Sequence, residues 1–333
     1  RLIDVTNTVG GHLASNLGVV ELTVALHTLF NSPEDKFLWD TSHQTYVHKM
    51  LTGRLNQMYS IKQYKGLSGF AKITESEHDI FGAGHASTSL SAAVGVAQAR
   101  NAQNLDYSVV CVMGDGGLSG GMAYEALNNI KELKGNFICV LNDNDMSISP
   151  PVGAMANYIT SIRTMKIYDG VKTKFERIFD RIPKIGSPLK RRIEKTVERL
   201  RNTLLDVPTG VLFEEFGFKY LGPINGHDLL SIMAALRYAK TYKGPIMIHI
   251  ITTKGKGMDV AEKNPVKYHG VSAQPKKNAT PKPKRPTYTQ CFGSEIINIA
   301  KQNEKVHVIT PAMREGSGLV EFEKAFPDRY YDV

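Results

Sequence analysis

Residues 107–116 read Tyr-Ser-Val-Val-Cys-Val-Met-Gly-Asp-Gly, and residues 136–144 read Asn-Phe-Ile-Cys-Val-Leu-Asn-Asp-Asn. Each stretch contains a short apolar run with β-branched residues, which is typical of a buried strand. Residues 119–134 lie between the two runs and are predicted to form a helix. A strand, a helix and a second strand in this order predict a βαβ unit with parallel strands. We therefore expect an α/β fold with a mostly parallel sheet flanked by helices.

Oxygen-bearing side chains and glycines follow both predicted strands. Asp115 stands directly after the first strand, and Asn144 ends the second stretch. A carboxylate, an amide oxygen and the main-chain carbonyl of Met146 suit Mg²⁺, which prefers oxygen ligands in a nearly octahedral shell. Gly116 and Gly117 lack Cβ atoms, so the backbone there can approach a diphosphate closely. The pattern predicts a site for Mg²⁺ and a diphosphate at the carboxyl ends of the strands.

Two other phosphate-binding loops compete with this interpretation. Residues 114–116 begin the G-x-G-x-x-G pattern of a dinucleotide-binding loop, but Ser119 occupies the position of the third glycine. A Walker loop is excluded because the sequence contains no G-x-x-x-x-G-K-S/T. An ordinary glycine-rich turn is the alternative for residues 114–116 taken alone. The downstream Asn142 and Asn144 favour the metal site.

Further polar loops follow two other predicted strands. Residues 36–40 and 245–251 have strand patterns, and they lead into Thr41-Ser-His-Gln44 and Thr252-Thr-Lys-Gly-Lys-Gly257. The carboxyl ends of parallel strands meet at one edge of a sheet. The recurrence of polar loops after strands therefore indicates a single site along that edge.

Two helices are expected to flank the sheet near this site. Residues 17–30 carry the apolar stripe of an amphipathic helix, with Ser15 or Asn16 as the expected N-cap. Residues 86–100 form an Ala- and Ser-rich helix pattern, small enough to pack closely under a cofactor.

The chain is expected to contain two units. Residues 1–272 form the first, with a helical insertion at about residues 150–205. Residues 273–287 form a linker rich in Pro and Lys. Residues 288–333 have a helix–strand–helix–strand pattern and are expected to begin a second α/β domain.

Composition and charge limit the class of protein. Of the 333 residues, 42% are hydrophobic and 22% are charged, as in ordinary globular proteins. Much of the net charge of +9 comes from two basic stretches, residues 163–201 and 276–285. The aromatic interleaving of a nucleic-acid platform is absent, so we expect solvated surfaces and no nucleic-acid partner.

Membrane and compartment signals are also few. No apolar run reaches the length of a membrane span, and we expect no membrane partner. Cys111, Cys139 and Cys291 are lone cysteines, and two of them fall in predicted buried strands. This usage suits a reducing compartment and indicates a cytoplasmic protein. Because the chain begins at Arg1, its natural N-terminus is expected to be missing.

Taken together, nine stretches resemble the 1-deoxy-D-xylulose-5-phosphate synthase family of transketolase-like thiamine diphosphate enzymes. The glycine–aspartate loop and the downstream asparagines fit many thiamine enzymes, whereas the whole set is specific to this family. The stretches are residues 10–16, 39–44, 84–89, 114–117, 142–149, 213–218, 222–228, 253–257 and 310–316.

This resemblance implies a thiamine diphosphate-binding fold with thiamine diphosphate and Mg²⁺ as cofactors. The family condenses pyruvate with D-glyceraldehyde 3-phosphate, releases CO2 and forms 1-deoxy-D-xylulose 5-phosphate. This transferase reaction is the first step of the non-mevalonate route to isoprenoids, and its product also feeds thiamine synthesis. The resemblance further implies that the subunits form a homodimer.

The resemblance also implies that the chain is part of a longer protein. Residues 1–285 are similar to the family's diphosphate-binding domain, and the residues from about 287 are similar to the opening of its pyrimidine-binding domain. The glutamate that contacts the pyrimidine ring would follow Val333, and the groups that hold the triose phosphate are missing too. We therefore expect the 333 residues alone to be inactive, with a separate chain as one source of the C-terminal half.

Individual roles follow from the matching positions. Asp115, Asn144 and the Met146 carbonyl resemble Mg²⁺ ligands. His12 and His269 resemble active-site histidines that position the substrate and transfer protons, which histidine can do near neutral pH. The residues that resemble cofactor contacts are His43, Gly84, His85, Ala86, Gly116, Gly117, Asn144, Lys254 and Met258.

Two alternatives remain open. The chain could belong to another transketolase-like enzyme, or it could be a non-catalytic, cofactor-binding fragment with a basic surface. Histidines outside the predicted loops, namely His27, His48 and His249, are interpreted as structural.

Overall fold

The computed structural model of the protein describes residues 1–144, 152–164, 210–273 and 285–333. Its main sheet has five strands, β1 (Lys36–Trp39), β2 (Val109–Gly114), β3 (Phe137–Asp143), β4 (Lys219–Asn225) and β5 (Pro245–Ile251). Their spatial order is β1-β2-β3-β5-β4, and every neighbouring pair is parallel. The predicted α/β fold with a mostly parallel sheet is confirmed.

The two apolar runs form the centre of this sheet. All residues of β3 are buried, and β2 is buried up to Gly114. Val109 and Cys111 face one core, and Val110 and Val112 face the other, because successive side chains of a strand point to opposite faces. A strand covered on both faces has no polar side, which explains the continuous apolar runs.

Helices cover both faces of the sheet. The helices of the described ranges are α1 (Leu2–Val9), α2 (Ala14–Leu17), α3 (Val20–Leu29), α4 (Tyr46–Lys49), α5 (Ser89–Ala102), α6 (Gly121–Asn128), α7 (Ala154–Thr164), α8 (Val211–Glu215), α9 (Leu229–Thr241), α10 (Asp259–Lys263), α11 (Tyr288–Gln302) and α12 (Val320–Ala325). Apolar side chains of α5, α6, α7 and α8 pack into one core, and those of α3 and α9 pack into the other. None of these helices combines the length and apolar character that a membrane span requires.

A helix is present within the predicted range 17–30, but the prediction that Ser15 or Asn16 is its N-cap is wrong. α2 precedes α3, and α3 begins at Val20 after Val19, which has no capping side chain. Asn16 does not cap α3, because its amide bonds the main chain near His12 and His43 instead.

β4 was not predicted from the sequence. Gly222 and Pro223 interrupt its apolar pattern, and the pairing with β5 shifts register between Leu221 and Ile224. Such a bulge accommodates residues that would otherwise break a strand.

The C-terminal part forms a small α/β unit. α11 is followed by β6 (Val308–Thr310), α12 and β7 (Tyr330–Asp332), and the two strands pair in parallel. Thr287 and Gln290 form a capping box at the start of α11. The predicted elements of residues 288–333 are therefore present, whereas the division into domains stays a prediction. Most of the predicted insertion at about 150–205 and of the linker at 273–287 lies outside the described residues.

A cluster of buried charged residues holds the segment that connects α4 to α5. Arg54 contacts Asp79 through two guanidinium nitrogens, at 2.7 and 2.9 Å, and His48 Nε2 lies 3.1 Å from Asp79 Oδ1. Glu75 pairs with Arg54 and with Lys49. Burial alone would raise the pKa of Asp79, but the hydrogen bonds from His48 and Arg54 outweigh it and hold that pKa well below its usual range. We name these five residues the ion cluster.

Asp79→Asn should lower the free energy of unfolding by about 3 kcal/mol, because it leaves Arg54 and Lys49 buried beside one carboxylate fewer. Asp79 should contribute fully to the free energy of unfolding above a pH of about 4, and this contribution should be lost as the pH falls further. Below that pH, Asp79 becomes protonated in the unfolded chain while it stays ionised in the folded chain. Urea denaturation at pH 7 and at about pH 2 measures both effects, because the lower pH lies below the pKa of Asp79 in the unfolded chain.

Asp106→Asn is the matched control. Asp106 is exposed and pairs with the exposed Lys243, so its replacement should change stability by no more than about 1 kcal/mol. Equal effects of the two substitutions would contradict a stabilising role for the ion cluster.

Candidate active site

A cavity of about 580 Å³ opens at the carboxyl edge of the sheet, where β1, β2, β3 and β5 end. Every predicted site residue that the structure describes lines this cavity, apart from Met258. The predicted residues on its wall are His12, His43, Gly84, His85, Ala86, Asp115, Gly116, Gly117, Asn144, Lys254 and His269.

The residues predicted to bind Mg²⁺ lie at the ends of the two central strands. Gly114 of β2 pairs with Asn142 of β3, so Asp115 and Asn144 follow at the same edge. Asp115 is 8% exposed, and burial, followed by the nearby Asp143 carboxylate, raises its pKa to about 6. The Oδ1 atom of Asn144 is buried and has no hydrogen-bond partner among the described residues. A carboxylate and an unpartnered amide oxygen form a donor set that suits Mg²⁺.

Lys254 brings positive charge to the same end of the cavity. It follows β5 and is 8% exposed. Burial lowers the pKa of Lys254 to about 8, while attraction to the Asp115 carboxylate opposes that shift. The strand end beside it is fixed by Thr252, whose hydroxyl donates to Asn142 Oδ1 at 2.6 Å. A buried ammonium of this kind can bind the oxygens of a diphosphate.

Asp40 follows β1 and organises the small residues of the wall. Its Oδ1 accepts hydrogen bonds from the Ser89 amide at 3.1 Å and the Ser89 hydroxyl at 2.9 Å, and its Oδ2 accepts one from the Ser87 amide at 2.9 Å. These bonds fix the segment that leads from residues 84–86 into α5. A Cβ on Gly117 would lie 2.6 Å from Asp40 Oδ2, so a side chain cannot fit there.

Three histidines from separate loops meet in the cavity. Ring centroids are 5.5 Å apart for His12 and His43, 5.8 Å for His12 and His269, and 5.2 Å for His43 and His269. Burial, then His269 and Lys62, lower the pKa of His12 to about 4. Burial, then Lys254, lower the pKa of His269 to about 4, and burial holds the pKa of His43 well below its usual value. All three rings are therefore neutral at pH 7.

Hydroxyl groups orient two of these rings. Tyr46 Oη accepts a hydrogen bond from the His12 amide at 3.1 Å and lies 3.3 Å from His12 Nδ1. Ser15 Oγ lies 3.2 Å from His269 Nδ1. Nδ1 of His43 is buried without a partner in the described part of the chain. Within the described ranges, no three His, Cys, Asp or Glu side chains are grouped so that they could hold a metal ion.

Asn16 joins the loops that carry His12 and His43. Its Nδ2 donates to the His12 carbonyl at 2.7 Å and to the His43 carbonyl at 2.8 Å, while its Oδ1 accepts from the Tyr46 amide at 2.8 Å. Asn16 and Asp40 position the site, and neither role was predicted from sequence. The only available signal was that both residues lie within the stretches that carry the family resemblance.

Phe70 forms a further part of the wall, and its ring centroid lies 5.3 Å from that of His12. The ion cluster holds the segment around it, because Glu75 accepts a hydrogen bond from the Ser68 amide at 2.7 Å. Ser42 Oγ accepts another from the Ala71 amide at 2.9 Å. Phe70 lies next to a glycine and carries no periodic signal, so the sequence did not reveal its place in the site.

His249 lies beneath the metal end of the site and does not line the cavity. Its Nε2 is 3.1 Å from Asp143 Oδ2, and its Nδ1 is 2.6 Å from Tyr220 Oη. Arg163 of α7 contacts Asp143 Oδ1 at 3.1 Å. These contacts fit the structural role expected for His249. His27 and His48 likewise bond each other at 2.9 Å, outside the cavity wall.

Two predicted positions differ from the others. Met258 packs in the apolar cluster formed by residues such as Leu13, Leu17 and Tyr46, and it does not line the cavity. Its predicted cofactor contact stays a prediction. Met146 lies outside the described residues.

Residues of the C-terminal unit also reach the cavity. Pro311, Ala312 and Met313 line it directly after β6. Ala312 has a φ of 53°, and its amide donates to Asp332 Oδ1 at 2.6 Å. A non-glycine residue in the left-handed region is uncommon and often marks a functional site.

Comparison with known sequences places this cavity in context. The model of the family described as 1-deoxy-D-xylulose-5-phosphate synthase matches residues 1–252. The synthases of Desulfitobacterium hafniense and Alkaliphilus oremlandii are each 49% identical to the chain, over 335 and 334 residues, which is 100% of the chain and 53% of either relative. The synthase of Syntrophomonas wolfei is 51% identical over 97% of the chain and 50% of its own length. The chain thus spans about half the length of the curated relatives it matches.

Solved structures support the fold. Transketolase from Campylobacter jejuni superposes with a TM-score of 0.56 at 23% identity, covering 82% of the chain and 38% of the transketolase. Transketolase from Leishmania mexicana gives the same TM-score at 20% identity, covering 82% and 37%. At these identities the likeness shows a shared fold.

We expect the ring signals of His12 and His269 to titrate near pH 4 and not near the ordinary value of about 6.5. Because the unfolded chain binds these protons more readily, their contribution to stability should be complete above pH of about 6.5 and be lost as the pH falls toward 4. NMR titration of histidine-labelled protein, with His12→Gln and His269→Gln used for assignment, measures both midpoints. A midpoint above pH 6 for either ring would refute its burial in a neutral cluster.

Proposed function

This chain belongs to the 1-deoxy-D-xylulose-5-phosphate synthase family, and we propose from this premise that its protein condenses pyruvate with D-glyceraldehyde 3-phosphate. The products are 1-deoxy-D-xylulose 5-phosphate and CO2, and the cofactors are thiamine diphosphate and Mg²⁺. The observation that carries the proposal is the convergence on one cavity of predicted residues from the ends of β1, β2, β3 and β5, from residues 84–86 and from the loops of His12 and His269.

The metal end of the cavity fits Mg²⁺ and a diphosphate. Asp115 supplies the anionic oxygen, and Asn144 supplies an amide oxygen that lacks a partner among the described residues. Lys254 contributes positive charge. Gly117 leaves room where any Cβ would meet Asp40, so main-chain groups can approach the phosphates. The Met146 carbonyl is the third proposed metal ligand.

The histidine end fits proton transfer to and from bound carbonyl compounds. Bound thiamine diphosphate supplies the electron sink for decarboxylation and for carbon–carbon bond formation. The low pKa values of His12 and His269 keep both rings neutral at pH 7, so each ring can accept a proton at one nitrogen and donate one from the other. Because the Tyr46 and Ser15 hydroxyls lie within hydrogen-bond distance of Nδ1 of these rings, we propose that Nε2 of each ring faces the substrate.

The proposal extends to assembly and location. We propose a homodimer in the cytoplasm, in keeping with the family resemblance. Cys111 and Cys139 are buried in central strands, a use of cysteine that is compatible with a reducing compartment.

The test of the reaction is product formation by the purified longer protein, with its C-terminal half present, in the presence of Mg²⁺ and thiamine diphosphate. We expect CO2 release from pyruvate to depend on D-glyceraldehyde 3-phosphate, with 1-deoxy-D-xylulose 5-phosphate identified by mass spectrometry. Turnover of a ketose phosphate donor in place of pyruvate would favour a transketolase activity and overturn the proposal.

Asp115→Asn should abolish Mg²⁺-dependent binding of thiamine diphosphate, because it removes the anionic oxygen from the predicted metal site. Calorimetric titration of thiamine diphosphate with and without Mg²⁺ measures the effect. Asp106→Asn, which neutralises an exposed carboxylate ahead of the same strand, should bind like the wild type. An unchanged affinity of the Asp115 variant for thiamine diphosphate in the presence of Mg²⁺ would show that the metal ion does not bind at Asp115.

In the longer protein with its C-terminal half, His12→Gln should lower kcat by about 100-fold or more, since general acid–base groups contribute of that order. The dissociation constant of this variant for thiamine diphosphate should stay close to that of the wild type, because His12 is not among the predicted metal ligands. Steady-state kinetics and calorimetry separate the two effects, with the exposed His307→Gln as the control. An unchanged kcat would assign His12 a structural role.

A further inference from the structure

One of the stretches that carry the family resemblance contributes no residue to the cavity wall. Residues 222–228 comprise the end of β4 and the loop after it, and none of them lines the cavity. The Gly226 amide donates to the Ile251 carbonyl at 2.8 Å, and a Cβ on Gly226 would lie 2.4 Å from Thr252 Cγ2. This close approach leaves no room for a side chain, and it brings the next residue, His227, beside the loop that follows β5.

His227 binds the main chain directly before Lys254. The Thr253 amide donates to His227 Nε2 at 2.8 Å. Nε2 therefore carries no hydrogen, and in the neutral ring the proton lies on Nδ1. Nδ1 in turn lies 3.4 Å from Glu21 Oε2, a carboxylate oxygen that can accept this proton in a hydrogen bond. The two partners together fix the tautomer and the orientation of the ring, as outer partners do for histidines that bind metal ions.

The backbone on either side of Lys254 is held by further contacts. The Gly255 amide donates to the Ala14 carbonyl at 2.9 Å. A Cβ on Gly18 would lie 3.1 Å from the Thr253 carbonyl oxygen and 3.6 Å from Lys254 Cα, so two segments of main chain meet here. Among these contacts, the hydrogen bond to the Thr253 amide depends on a side chain. A substitution can therefore remove it and leave the main-chain contacts in place.

The position of this backbone matters for the chemistry of the site. Lys254 is 8% exposed and lines the cavity together with Asp115. Because a lysine ammonium is carried on a flexible stem, its place in the cavity depends on where its Cα is held.

We propose that His227 is a positioning residue for Lys254, holding the Thr253 amide so that the Lys254 ammonium reaches the diphosphate of the cofactor. The inference rests on the proposed function, which supplies thiamine diphosphate as the ligand. His227 does not line the cavity, so it acts on the cofactor through Lys254.

Calorimetric titration of thiamine diphosphate with Mg²⁺ present, on the longer protein with its C-terminal half, tests the proposal. His227→Leu should raise the dissociation constant about 10-fold, because it leaves the Thr253 amide without its acceptor. His227→Gln should restore most of the affinity, since its Oε1 reaches the place of Nε2. His227→Asn is the matched control, because its shorter side chain reaches only the place of Nδ1 and should bind as weakly as His227→Leu. Equal dissociation constants for the three variants would overturn the proposal.

A double-mutant cycle tests whether His227 acts through Lys254. Lys254→Met should itself weaken the binding of thiamine diphosphate, because it removes the ammonium. Adding His227→Leu to Lys254→Met should then change the dissociation constant by less than about 2-fold, the scatter of sites without further coupling. A second 10-fold loss in the double variant would show that the two residues act independently, and it would overturn the proposal.

Hydrogen exchange of the unliganded protein keeps the positioning role separate from the reaction. Amides of residues 252–257 should exchange faster in His227→Leu than in the wild type, and His227→Gln should exchange like the wild type. If the wild type binds thiamine diphosphate but fails to condense the two substrates, while exchange and affinity follow this pattern, the proposed function is wrong and the positioning role stands. An unchanged affinity of His227→Leu would refute the positioning role whatever the exchange or the turnover.

Discussion

The parallel register of β2, β3 and β5 is the constraint on which the rest of the structure depends. Gly114, Asn142 and Ile250 lie side by side across three strands, so the loops that follow these strands begin at the same edge of the sheet. Residues that are far apart in sequence therefore reach the same cavity without any long excursion of the chain. This alignment brings Asp115 and Lys254 so close together that the charge of each affects the pKa of the other, in addition to the effect of burial.

The central strands and the metal end of the site could be predicted because their signals are local. A strand buried on both faces is an unbroken apolar run, and the residues that follow its last position must lie at the sheet edge. Asp115 and Asn144 follow such runs directly and Lys254 comes three residues after one, and the structure places all three on the cavity wall. The chemistry of the residues then restricts which ligands are suitable.

The groups that hold the site were not predictable, because they act over long separations through hydrogen bonds that leave no periodic pattern. Asp40 binds amides at residues 87–89, and Phe70 reaches the histidines through a segment fixed by the ion cluster. β4 escaped prediction for the opposite reason, since Gly222 and Pro223 resemble a turn although they lie within a bulged strand. The expected capping role of Asn16 was wrong because Asn16 lies inside α2 and α3 begins only at Val20, while the Asn16 amide bonds the His12 and His43 carbonyls.

The three hydrogen bonds of Asn16 affect how the loops that carry His12 and His43 open to solvent. A single amide side chain is shared by the His12 carbonyl, the His43 carbonyl and the Tyr46 amide, so opening either histidine loop alone would leave a polar group of Asn16 unsatisfied. We therefore expect the two loops to open as one cooperative unit, with their amide protons exchanging with solvent through a common opening. A protein built in this way exposes both histidines together or keeps both covered.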